Sequence, residues 1–127
     1  MRIDRKKLAA LATIRVYCSP EHIPVRGNAM MGGDAEDNRR VEDAIIADLE
    51  SGNEWAWCCS VEVRASYAGI DGADYLGGCS YASEADFRRP GGYFDDMREA
   101  ALDELARELE TAHADILAVL EMDGGAS

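Results

Sequence analysis

The sequence predicts an α+β fold, with a small antiparallel sheet (an N-terminal strand plus a β-hairpin) packed by one medium helix and one long C-terminal amphipathic helix. Three observations carry that prediction. Residues 54–68 alternate apolar and polar side chains with a period of two. Residues 93–122 contain neither Gly nor Pro and space their leucines by three and four. A separate helical pattern begins at Asp34, so helices and strands are interspersed along the chain. At 127 residues the expectation is a single domain, 1–127, with a basic segment at 1–7 and a frayed tail at 124–127.

The elements follow in order. Leu11 to Tyr17 (LATIRVY) alternates and is rich in β-branched residues, which suits a short strand ending at Ser19-Pro20. Glu21 to Gly33 holds Pro24, Gly27, Asn28 and Gly32-Gly33 without periodicity and reads as a long loop. From Asp34 the pattern is helical. Asp34, Glu36 and Asp37 suit a helix N-terminus, Val41, Ile45 and Leu49 recur every four residues, and Gly52 provides a stop.

Glu54 to Ala68 (EWAWCCSVEVRASYA) is the strongest strand signal. Alternation puts Trp55, Trp57, Cys59, Val61, Val63, Ala65 and Tyr67 on one face, the expected core face. Gly69-Ile70-Asp71-Gly72 then reads as a turn, and Asp74 to Tyr81 returns as the second hairpin strand, with a bulge or close backbone approach at Gly77-Gly78. Ser83 caps a short helical turn through Phe87, ended by Pro90-Gly91-Gly92. In the final helix, Leu102, Leu105, Leu109, Ala112, Ile116 and Val119 form the apolar stripe. Thirty residues of helix span about 45 Å, long enough for its end to pair with another chain.

Charge is unevenly distributed. The net charge of −12 is concentrated in residues 34–54, with eight acids against two bases, and residues 91–127, with ten against two. Both lysines, Lys6 and Lys7, lie within the first seven positions. Such a chain repels nucleic-acid phosphate over most of its length, which disfavours direct binding to DNA or RNA and makes a basic protein surface the natural partner. A solvated surface that keeps the protein soluble explains the same charge. The apolar runs are too short to cross a membrane, and the N-terminus lacks the long apolar stretch of a secretory signal. A cytoplasmic location is therefore expected.

Catalytic and metal-binding patterns are weak. Cys58 and Cys59 are adjacent, so in a strand they point to opposite faces, and Cys18 with His22 has Pro20 between the two. The expected hairpin register sets Cys79 opposite Val63 and away from Cys59, which argues against a cross-strand disulfide. The thiols read as small hydrophobes, and an enzyme using Cys58 or Cys79 with a histidine is the minor alternative. His22 and His113 compose no triad, and the glycines of the hairpin lack the following helix of a phosphate cradle. No cofactor and no metal are expected. Arg88-Arg89-Pro90-Gly91-Gly92-Tyr93 reads as a loop with local ion pairs, and Arg26-Gly27-Asn28 as a tight turn or a functional loop.

The runs PVRGNAM (24–30), NEWAW, VEVRASYAG, DYLGGCSYASEADF and GGYFDDMREAALDEL together resemble a family of small acidic proteins encoded by proteobacterial phages, prophages and plasmids. The resemblance covers roughly residues 20–110. It implies a bacterial host cell and an inhibitor of anti-CRISPR or anti-restriction type, which blocks a host defence complex by binding it, in some cases imitating the charge of DNA. It transfers no catalytic residue. The expectation is a non-enzymatic protein that binds a host nucleic-acid-handling complex through Asp34, Glu36, Asp37, Asp95, Asp96, Glu99, Asp103 and Glu104. The alternative is a structural or accessory phage module that self-associates as a homodimer through the C-terminal helix.

Overall fold

Asp4 starts the first regular element. Its carboxylate accepts a hydrogen bond from the Lys7 N–H at 3.1 Å and caps α1 (Arg5–Leu11). The computed structural model describes residues 2–29 and 34–120. Gly32-Gly33, the predicted helix end at Met122 and the tail 124–127 lie outside the described residues. After α1 come β1 (Thr13–Pro20), α2 (Ala35–Glu50), a single 3₁₀ turn (Glu54–Ala56), β2 (Cys59–Tyr67), β3 (Ile70–Cys79), α3 (Glu84–Phe87) and α4 (Tyr93–Leu120). The strands form one antiparallel sheet in the order β1-β2-β3, an α+β architecture.

Several boundaries differ from the sequence reading. Helix α1 was not expected, and it moves the start of β1 from Leu11 to Thr13. RKKLAAL consists entirely of strong helix formers, but about two turns of helix are too short to display an apolar period. Strand β2 begins at Cys59 and not at Glu54. Asn53 caps the 3₁₀ turn through Trp55 N–H, and Cys58 sits at φ 38°, which breaks the extended backbone. Trp55 and Trp57 therefore precede the strand whose inward face they were expected to join. From Cys59 onward the alternation is as expected: Cys59, Val61, Val63 and Ala65 are buried, and only Tyr67, at the turn, is exposed.

The hairpin turn is tighter than expected. Ala68 (φ 54°) and Gly69 (φ 78°) are both left-handed, the signature of a two-residue type I′ turn, so β3 starts at Ile70 and Gly72 lies inside the strand. Strand β3 is one residue longer than β2, and Gly78 at φ 64° marks the extra residue as a bulge. The bulge corrects the cysteine register: Cys79 lies beside Cys59, not opposite Val63.

The described residues fall into two compact units. One contains α1, the start of β1, Val63–Asp74 and α4 from Asp96. Its core is Leu8, Val63, Ala65, Met97, Ala101, Leu102, Leu105 and Ala106. Gly72 makes this packing close, because a Cβ there would lie 2.3 Å from Leu105 N and 2.4 Å from Ala101 O. The other unit contains Val16–Glu62 and Tyr75–Asp95. Phe87 is its centre, with ring centroids 5.3 Å from Trp55, 5.2 Å from Tyr81 and 5.8 Å from Phe94. The Tyr81 and Phe94 contacts are edge-to-face and the Trp55 ring is tilted at 33°, and all three add to the burial of Phe87. Val41, Ile45 and Leu49 of α2 are only half-buried, and no residue of α2 is fully buried.

Candidate partner-binding surfaces

The eight acids singled out by sequence divide by what their side chains already do. Asp34 is the N-cap of α2 and accepts from Asp37 N–H at 2.8 Å. Asp37 pairs with Arg40 at 3.3 Å. Asp95 accepts from Gly91 N–H at 3.2 Å, at the start of α4. Glu99 and Asp103, one turn apart on α4, both hold Arg5 at 2.8 Å, and Asp103 is the main cause of an upward shift in the Arg5 pKa. Glu104 accepts from Ala73 N–H on β3 at 3.1 Å. Only Glu36 and Asp96, both exposed, have no side-chain partner among the described residues.

Sequence reasoning missed two further exposed acids of α4, Glu108 and Asp115, which are likewise without a side-chain partner there. Their signal was already present in the count: Asp95 to Asp115 holds eight acids against Arg98 and Arg107. Asp96, Glu108 and Asp115 belong to the unit that contains α1, and Glu36 to the other, so each unit has its own acidic surface.

The basic candidates are engaged locally. Arg26 is held by Glu42 at 3.2 Å and by Asp43, and the Gly27 N–H donates to Glu42 at 2.8 Å, so Arg26-Gly27-Asn28 is a turn anchored on α2. That backbone bond, with Arg26 second, holds the Glu42 carboxyl below its ordinary pKa. Arg88 pairs with Glu84 at 2.9 Å and lies 4.9 Å from the Phe94 ring centroid, and Arg89 pairs with Asp86 at 2.8 Å.

The cysteines converge more than their spacing indicates. Cys18, Cys59 and Cys79 come from β1, β2 and β3. Cys59 and Cys79 have their Sγ atoms 3.6 Å apart, and Cys18 shares a hydrogen bond with Cys59. Burial pushes the Cys59 thiol up to about 11 and the Cys79 thiol up to about 12, and it raises Cys18 as well. These are protonated thiols at neutral pH, the opposite of an activated nucleophile. Cys58 is also raised, by burial and then by Glu21.

Glu21 ties the three strands together beside them. Its carboxylate accepts from Ser60 Oγ at 2.6 Å and from Gly78 N–H at 3.1 Å, while its own N–H donates to Cys58 O at 3.1 Å. His22 (φ 62°) and Cys58 are the two non-glycine residues held left-handed at this corner. Among the described residues, no group of three or more His, Cys, Asp or Glu is placed to hold a metal ion. No helix among them is long and apolar enough to cross a membrane.

No family model matches the chain, and no curated protein or solved structure matches it.

Proposed function

We propose that this protein is a non-enzymatic, mobile-element protein of anti-CRISPR or anti-restriction type, which inhibits a host nucleic-acid-handling complex by offering acids to its basic surface. The single observation that carries this reading is α4, where eight acids face two arginines and Asp96, Glu108 and Asp115 stand exposed without a side-chain partner among the described residues. Exposed carboxylates in that ratio compete with phosphate for Arg and Lys side chains. The resemblance of residues 20–110 to phage and plasmid proteins supplies the biological context.

The test is competition. Purified protein should displace DNA from a CRISPR effector or restriction enzyme of its host, and the displacement should weaken steeply between low and high salt. Asp96→Arg combined with Glu108→Arg should weaken it at least tenfold while the fold, followed by circular dichroism, is unchanged. Unchanged competition by the double variant refutes the reading.

One observation favours self-association as a second reading. At the end of α4, Ile116, Leu117, Val119 and Leu120 are exposed, the least covered being Val119 at 79%. In the same unit Leu8, Leu11, Tyr67 and Leu109 line an apolar groove of about 350 Å³ beside Lys7. A second copy brings both an apolar helix end and Asp115 to this groove, which Lys7 helps to line. Sedimentation at two concentrations reads the outcome directly, and a strict monomer at both removes it.

A further inference from the structure

We propose that Cys59 and Cys79 are a redox-active dithiol that closes to a cross-strand disulfide on exposure to a low-molecular-weight disulfide such as oxidised glutathione, with Cys18 the neighbouring thiol left free. The bulge at Gly78 creates the pair by bringing Cys79 level with Cys59. Each thiol donates to the other residue's carbonyl at 3.2 Å, so both side chains project to the same side of the strand ladder and toward each other. Facing residues of adjacent antiparallel strands have Cα atoms about 4.5–5.5 Å apart, inside the range of about 4.4–6.8 Å that a disulfide tolerates. The present Sγ separation of 3.6 Å must shorten by roughly 1.5 Å to reach bonding distance, a shift that side-chain rotation supplies.

Access sets the order of events. Cys59 is 0% exposed, whereas Cys79 is half-buried, so the Cys79 thiolate meets the oxidant. It attacks one sulfur of oxidised glutathione, forming a mixed disulfide and releasing one glutathione thiolate. The Cys59 thiolate then attacks the Cys79 sulfur and releases the second glutathione. Two protein thiols lose two electrons, one glutathione disulfide gains them, and the two protons pass to the leaving thiolates. Burial keeps both thiols protonated, so the exchange proceeds slowly.

The product closes the open end of a hairpin whose other end is the Ala68-Gly69 turn, and it fixes the strand beside the Glu21 bonds. The geometry also disfavours the competing links. Cys58 lies just outside β2 in a left-handed conformation and donates its N–H to Ser80 Oγ at 3.0 Å. Cys18 contacts Cys59 but belongs to β1, on the far side of β2 from Cys79.

The experiment uses the full chain incubated with oxidised glutathione, quenched with N-ethylmaleimide in denaturant and mapped by mass spectrometry. The expected map has alkylated Cys18 and Cys58, a Cys59–Cys79 linked peptide, and a Tm several degrees above the reduced protein that dithiothreitol restores. Cys18→Ser should leave the link intact. Four alkylated cysteines after prolonged incubation, Cys79 carrying glutathione with no link, or a main product joining Cys59 to Cys18 overturns the proposal.

Discussion

Gly72 offers the most direct test of how the sheet and α4 meet. In Gly72→Ala the new Cβ would lie 2.3 Å from Leu105 N, 2.4 Å from Ala101 O and 2.9 Å from Leu105 Cα. All three are backbone atoms, so no rotamer change relieves the clash, and the helix must retreat by about 1 Å to reach ordinary contact. Ala101, Leu102 and Leu105 are at most 1% exposed, so that retreat loosens the centre of this unit's core. Overpacking of this kind costs about 1–3 kcal/mol and more where the backbone cannot yield, and a radial gap of about 1 Å forfeits up to half of each contact's dispersion energy. Replacing glycine in a strand returns only about 0.5–1 kcal/mol through the unfolded chain. The expected net loss is about 3 kcal/mol. With unfolding entropy near 2.1 cal/mol/K per residue, it corresponds to a fall in Tm of roughly 10 °C. Urea titration of both proteins checks it, with a lower midpoint and an unchanged slope expected. Gly69→Ala is the control, since its Cβ enters open space and only the φ of 78° is penalised, at about 1 kcal/mol. A Gly72→Ala protein within 0.5 kcal/mol of wild type would refute the close approach of β3 to α4.

Two further predictions concern other parts of the chain. Ala68 holds φ 54° in a two-residue turn, and Ala68→Asn restores the Asn-Gly pair that such turns favour; thermal unfolding should show about 0.5–1 kcal/mol of stabilisation, and a loss would contradict the type I′ turn. Glu42 is held below its ordinary pKa by Gly27 N–H and Arg26, so at acid pH the unfolded chain binds the extra proton. The stability this confers is complete above about pH 4.5 and is lost as the pH falls through the lower folded value. Glu42→Gln should therefore lower Tm at pH 7 and flatten its decline below pH 5, whereas parallel Tm curves for the two proteins would show that Glu42 is not so engaged.

How much was legible in the sequence depended on whether a residue's role is local. Asp34 and the spacing of Val41, Ile45 and Leu49 are local signals, and α2 begins and runs as they indicate. The inward face of Cys59, Val61, Val63 and Ala65 follows from alternation alone. Alternation also continues through Trp55 and Trp57, because a period of two does not register the left-handed Cys58 that separates them from the strand. Glycine is ambiguous in the same way. Gly72 reads as a turn residue because turns and close approaches both use glycine, and only the position of Leu105 distinguishes them. The pairing of Cys79 with Cys59 depended on two such details, the turn at Ala68-Gly69 and the extra residue at Gly78, and each shifts the register. Glu21, which joins three strands, carried no sequence signal, since its partners Ser60 and Gly78 lie 39 and 57 residues away.

The acids show why a charge count indicates a class of partner but not its contact residues. Glu99 and Asp103 are half-exposed, yet both hold Arg5, and any basic partner must either share them or displace Arg5. Exposed ion pairs contribute about 0–1 kcal/mol each, so displacement costs little, but it also returns little over the pair already made. Asp96, Glu108 and Asp115 carry no such contact among the described residues, and a partner's arginine gains its whole interaction there. Asp34, Asp95 and Glu104 instead accept backbone N–H groups, and replacing one of them removes a cap or a bond between α4 and β3. Loss of binding after mutation of these three would therefore confound recognition with folding. Charge reversal at Asp96 and Glu108 separates the two, because neither side chain holds another of the described residues in place.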